Sequence, residues 1–315
     1  MRQHSQFWAS AHLDERIAPN AFRNPHSFPA AWPTAGPLPL ISTSIILLAL
    51  LLSGPEQFGA AANNSTDSNQ LVREVIQNEI RSQVHETNDN NLWSYRKLTK
   101  REGKSQLLEY CQTKYGTIHR LLAVNGQPLS PSQHQAEAKR VQMLIRSPDA
   151  LRAARRKESA DAQEERRFLG LFPDAFRYQE EGKQGALLKL RFTPNPNFRP
   201  SGNEERVLHS LEGTMVVDPK HKRLVSVNGR LMTEVKFWGG LAGHLNPGGT
   251  FSVQLENVAP GDWELKLLDV EMNGKALLFK TITVREQDTY SNYTPIPPNT
   301  SLVQAAERLQ KDSGG

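Results

Sequence analysis

Nine histidines and one cysteine are the side chains best suited to metal binding or nucleophilic chemistry, and their spacing favours neither. The histidines stand at positions 4, 12, 26, 85, 119, 134, 209, 221 and 244. None forms a His-Glu-x-x-His pair on a helix face, and none lies at zinc-ligand spacing from Cys111. No Gly-x-Ser-x-Gly elbow presents a serine. Cys111 falls inside a strand pattern with no neighbouring histidine, where a thiol packs rather than reacts. The expectation is a protein that is not an enzyme, with no catalytic residues, no metal and no cofactor. A hydrolase built from dispersed groups would need His209, His221 or His244 bonded to a carboxylate in a polar cleft.

Two other stretches carry chemical character. Gly239-Gly240-Leu-Ala-Gly243-His244-Leu-Asn-Pro-Gly248-Gly249 is glycine-rich but lacks the Lys-Ser/Thr of a phosphate loop and the spacing of a dinucleotide loop. It reads as a strand connection, or as a gate whose apolar rim is Phe237-Trp238. Residues 139–167 hold nine basic and five acidic side chains. Such a run is usually a solvated helix face; its functional alternative is contact with an anionic membrane surface or a partner, through Arg152, Arg155, Arg156 and Lys157. No aromatic residue lies between Arg146 and Arg167, so stacking on nucleic-acid bases is not expected.

The elements that must position these groups occupy a chain of 315 residues with net charge +5. Residues 1–62 hold three basic and three acidic side chains, so that excess belongs to the remainder. From Asn24 to Pro55 there is no Asp, Glu, Lys or Arg. Pro29, Pro33, Pro37 and Pro39 confine the apolar helix to the Ile41–Leu52 stretch, about a dozen residues. That length suits a signal-peptide core and falls short of the ~20 residues of a bilayer span. Ala60-x-Ala62 fits a signal-peptidase cut. Residues 1–62 are therefore expected to be a signal peptide of an exported, periplasmic protein. The alternative is an inner-membrane anchor through residues 40–54.

Beyond the leader, Leu71, Val72, Val75, Ile76 and Ile80 make an amphipathic helix stripe. Strands follow at Ser94–Thr99, Gln106–Thr113 and Gly116–Val124, the last closed by an Asn125-Gly126 turn. Ser130-Pro131 and Ser147-Pro148 each start a helix. The resulting insertion, 130–170, has no large apolar residue between Arg152 and Arg167, and reads as a solvated helix or a mobile arm. Antiparallel strands fill 176–286, with turns expected at Asn228-Gly229 and Asn273-Gly274. A tail, 291–315, ends in a short helix, Leu302–Leu309, capped by Asn299 or Thr300.

Leu211-Glu-Gly-Thr-Met-Val-Val-Asp218, followed by Arg223-Leu-Val and Gly229, resembles the Gly-x-hydrophobic-hydrophobic-Asp … Arg-Leu hairpin of LolA/RseB-like periplasmic proteins. Phe237, Gly240, Gly249-Thr-Phe251 and Gly261-Asp-Trp263-Glu are similar to the strands that follow it. The resemblance spans 70–290, within a domain expected at 63–290, and is similar over that length to a group of bacterial exported proteins. It implies an α+β fold: a half-open antiparallel β-barrel, or curled sheet, with an N-terminal helix and a helical insertion. It also implies a concavity that binds a hydrophobic ligand, a lipid or the acyl chain of a lipoprotein, and Phe237, Trp238, Phe251 and Trp263 are the candidate lining residues. The insertion is longer and more charged than a carrier of this kind needs. An envelope interaction or structural module, its concavity plugged by its own side chains, is the second expectation.

Overall fold

The computed structural model describes residues 65–311, apart from 89–90, 238–239, 241–242 and 277–279. The expected leader with its cleavage site, the alternative anchor at 40–54, Trp238 and part of the glycine-rich loop lie outside the described residues. The chain opens with helix α1 (Ser65–Asn88), then strands β1 (Leu92–Arg101), β2 (Lys104–Cys111), β3 (Ile118–Val124) and β4 (Gln127–Pro128). Helices α2 (Pro131–Ile145) and α3 (Pro148–Ala175) form the insertion. Strands β5 (Phe176–Gln184) and β6 (Leu187–Pro194), helix α4 (Asn203–Leu208), and strands β7 (Leu211–Asp218) and β8 (Arg223–Leu231) come next. Strands β9 (Val235–Phe237), β10 (Gly243–Leu245), β11 (Thr250–Ala259), β12 (Asp262–Ala276) and β13 (Lys280–Ile296) and helix α5 (Leu302–Lys311) complete it.

The strands form one antiparallel sheet in the order β4-β3-β2-β1-β13-β12-β11-β8-β7-β6-β5, with β10 bridging β12 and β9. The sheet does not close, so the fold is α+β with a curled, open sheet, as expected. Its two ends are protected. β4 is two residues long and ends in Pro128, which lacks a donor. At the other end Asn69 of α1 accepts from the Tyr178 amide of β5 at 3.1 Å.

Opposed residues in antiparallel strands share a face. One such row reads Leu190, Met215, Val227, Val253, Leu268, Asp288, Thr99 across seven strands. The next reads Phe192, Gly213, Gly229, Phe251, Val270. This is the face that α1 and α3 cover. Val72, Val75 and Ile76 of α1 and Phe172 of α3 are buried against it with Leu190, Phe192, Met215 and Val227. The two helices run antiparallel, pinned by Arg73–Asp174 at 2.7 Å near one end and Gln83–Glu165 at 2.7 Å near the other. The opposite face of β1–β3 is covered by α2 and α5, with Cys111, Ile118, Val141 and Leu309 buried between them. Cys111 is buried, and burial pushes its thiol up to about 11.

Local signals performed unevenly. Asn125 and Gly126 have φ of 51° and 76° and turn the chain as expected. Ser130 caps α2 in a reciprocal box with Gln133. The other two Asn-Gly pairs are not turns. Asn228-Gly229 lies inside β8, and Asn273-Gly274 inside β12. Glycine is needed there for room: a Cβ on Gly229 would sit 2.2 Å from Cε1 of Phe251, and one on Gly274 2.1 Å from the His244 carbonyl oxygen. The cap of α5 is Ser301, whose hydroxyl accepts from Gln304 N at 3.2 Å, rather than Asn299 or Thr300. The middle of the insertion is neither an arm nor solvated all round. Leu151, Glu158, Glu165 and Phe172, seven residues apart, are one inward line of α3. Two of the four places on that line are glutamates, which is why no apolar stripe shows in the sequence.

Candidate functional site

The concave face divides into two parts. Beside β1, β2 and β13 it is filled by side chains. Tyr95 and Tyr110 stack with ring centroids 5.0 Å apart, Trp93 and Tyr293 meet edge-on at 6.1 Å, and Tyr290 packs against Tyr95. Lys97 and Asp288 form a buried pair at 2.7 Å, and Thr99 donates to the other oxygen of Asp288 at 2.6 Å. Burial, helped by Arg140, lowers His119 beneath this cluster to about 4, so its ring is neutral.

Beside β7, β8, β11 and β12 the face is not filled. A cavity of about 150 Å³ remains between the sheet and the helices α1 and α3. Ile76 of α1, Phe168 and Phe172 of α3, and Met215, Val227 and Phe251 of the sheet are among the apolar side chains around it. The row geometry explains the gap. Gly213 and Gly229 stand between Phe192 and Phe251, and both rings lean over glycine rather than outward. Among the α3 residues that line the cavity, Glu165 is less bulky than the leucine such a position usually holds.

One end of this cavity is polar. The register sets the start of β8 (Arg223) and the start of β12 (Trp263, Glu264) at the same end of the sheet, where the later turns of α1 and the middle of α3 pass over them. Glu79 of α1 receives Arg223 Nη2 at 3.1 Å and the Leu224 amide at 2.8 Å, and Arg223 Nη1 donates to Ser82 at 2.6 Å. Burial raises the Glu79 carboxyl against the opposing pull of Arg223. Glu165 is only 5% exposed, and its bonded partner is the Gln83 amide. Burial pushes Glu165 up to about 7, and likewise Glu158, which bonds Thr117.

The expected lining residues separate. Phe251 and Trp263 line the cavity. Phe237 does not: in β9 it alternates with exposed Lys236 and packs with Val235 and Leu245 in the core instead. Trp238 lies outside the described residues. Arg152, Arg155, Arg156 and Lys157 are exposed on α3, and the charge of Arg155 acts on Glu158 one turn along. Arg152 pairs with Asp149, and Lys157 with Asp161 at 2.6 Å. Glu79, Ser82, Glu165 and Arg223 had not been expected. Glu79 had a signal, since it continues the Val72, Val75, Ile76 stripe at the next helical step. Glu165 had the same kind of signal, seven residues before Phe172.

The histidine–carboxylate pair does occur, in a different setting. His221 Nδ1 lies 2.6 Å from Asp218 Oδ2, in the turn between β7 and β8, with His221 more than half exposed. The other oxygen of Asp218 accepts the Lys220 and His221 amides at 2.9 and 3.0 Å, so the carboxylate closes the turn. Asn78 of α1 donates to the Lys222 carbonyl at 3.1 Å and ties that turn to the helix. His244 lies 3.7 Å from Glu234. Among the described residues, no group of three or more His, Cys, Asp or Glu is arranged to hold a metal ion, and no helix is long and apolar enough to cross a membrane.

No protein-family model matches the sequence, and no curated protein matches it. Among solved structures, the chain is weakly similar to a DUF1329 family protein from Desulfovibrio piger. That match has 11% identity and a TM-score of 0.25, and covers 79% of this chain and 100% of the other. A likeness at that level carries no functional argument.

Proposed function

We propose that this chain is a non-enzymatic, exported cell-envelope protein that binds a hydrophobic ligand, a lipid or the acyl chain of a lipoprotein, on the concave face of its sheet. The observation that carries the reading is the apolar cavity left between α1, α3 and strands β7, β8, β11 and β12. Close-packed interiors rarely keep a void of this size, because each lost contact costs dispersion energy. Export rests on the sequence of the leader, and the lipid class on the resemblance to LolA/RseB-like proteins.

Magnitude limits the mode of binding. A cavity of about 150 Å³ holds a group the size of benzene, roughly six carbons. It therefore takes about six carbons of a chain, the stretch next to a head group as readily as the far end, with the remainder leaving between the helices and the sheet. The exposed basic side chains Arg155 and Arg156 of α3 offer attraction to anionic headgroups, up to ~1 kcal/mol each near a surface.

The test is native mass spectrometry of the full chain purified gently from an exporting host, beside solvent extraction. An adduct of lipid mass released by solvent, and diminished in V227F, which fills the cavity from the sheet side, is the expected result. A bare mass that stays bare after incubation with mixed lipids would overturn it in favour of an interaction module without ligand. The aromatic filling beside β1, β2 and β13 is what such a module would have throughout.

A further inference from the structure

The apolar walls of the cavity accept any hydrocarbon, whereas its polar end is selective. Four charged residues line that end: Glu79 of α1, Glu165 of α3, Glu264 of β12 and Arg223 of β8. They are three carboxyl groups and one guanidinium. The guanidinium is already committed, to Glu79 at 3.1 Å and to Ser82 at 2.6 Å. Glu165 is different: it is buried, it faces a neutral amide, Gln83 at 2.7 Å, and the cation whose charge acts on it is Arg166 of its own helix.

We infer that the cavity selects an amphiphile whose apolar tail ends in a hydrogen-bond donor, foremost a primary ammonium group, with Glu165 as its receptor, and that it disfavours carboxylate heads. The inference deepens the hydrophobic-ligand reading and rests on it. An ammonium placed at Glu165 gains a charge-assisted hydrogen bond, about twice as strong as a neutral one. It also supplies the countercharge that lets the buried carboxyl ionise; that carboxyl otherwise titrates at about 7 because burial disfavours its charge. A carboxylate head meets the reverse situation. It would join Glu165, and like charges in one buried site force one of them to stay protonated. A hydroxyl head lies between the two, since it can donate to Glu165 without neutralising it.

The experiment is calorimetric titration of the full chain at pH 8 with three probes of one tail length: hexylamine, hexan-1-ol and hexanoate. At pH 8 Glu165 is mostly ionised and an alkylamine, like a lysine side chain, is fully charged. The expected order is amine tightest, by about tenfold over the alcohol, with hexanoate weakest. In E165Q the amine and the alcohol should come within about twofold of each other. If all three probes bind and the amine shows no advantage, or hexanoate binds best, the head-group inference is overturned while the hydrophobic cavity stands. If none of the three binds, the cavity reading itself fails. Should E165Q not fold, the ranking of the probes on the parent chain decides the matter alone.

Discussion

Glu165 is a single carboxyl whose environment converts into a measurable property of the whole chain. Burial holds it protonated in the folded state up to about 7, whereas in an unfolded chain it ionises near the ordinary glutamate value of 4.5. Between those two pH values the folded protein carries the extra proton. Stability from this group is therefore full below the lower value and falls as pH rises toward the upper one, by about 1.4 kcal/mol per pH unit at most. His119 works the other way: lowered to about 4, it binds a proton only when unfolded, so its contribution grows as pH rises through the window between about 4 and its ordinary 6.5. The two must be separated by difference. Denaturant midpoints of the parent and E165Q, compared from pH 5 to pH 8, should converge at the acid end and diverge at the alkaline end, with the variant relatively more stable there. A constant offset across that range would show that Glu165 titrates normally.

Among the elements, the glycines of the strands hold the cavity open and set the register. Gly274 of β12 is flanked by β13 and by β10, and its missing side chain is what lets the His244 carbonyl pass. G274A should shift the urea midpoint downward by the equivalent of about 1–3 kcal/mol, the usual cost of overpacking. Parent-like stability would mean that β10 gives way freely. The same glycine shows how far the sequence was legible. Apolar alternation in Phe251, Val253 and Leu255 locates β11, whose three alternating residues all line the cavity, because a sheet face imposes a period of two. Asn273-Gly274 reads as a turn because the dipeptide tolerates positive φ, yet here it is the close approach of another strand that demands glycine. Local chemistry was the same in both settings; only the tertiary neighbour differed. The solvated-helix reading of α3 holds over 152–164, and only the helix's inward contacts escape the sequence. Its apolar periodicity fails at Glu158 and Glu165, and inward glutamates are invisible to a search for hydrophobic stripes. Arg223 was legible as part of a hairpin, and its burial against Glu79, 144 residues away, was not.

On the scale of the whole molecule, β13 is the strand on which the others depend. It stands between β1 and β12 and joins the four N-terminal strands to the rest of the sheet. Amides at the centre of β13, around Asp288–Tyr290, should be among the slowest to exchange with deuterium, approaching the global unfolding limit, while those of β4 and β5 at the ends exchange sooner. Equal protection in β5 and β13 would mean that the sheet does not open from its ends. The same topology imposes a schedule on synthesis. Thr99 and its partner Asp288 are 189 residues apart, so at ordinary elongation rates β1 waits roughly ten to forty seconds for its mate. Through that interval its backbone edge is unoccupied and open to other chains. Arg96, Lys97, Lys100 and Arg101 sit along it, and like-charged neighbours repel a second copy of the same strand. When β13 finally arrives it brings Asp288 to Lys97 and Glu286 to Arg101, so the charges that guarded the waiting strand become the ones that close it.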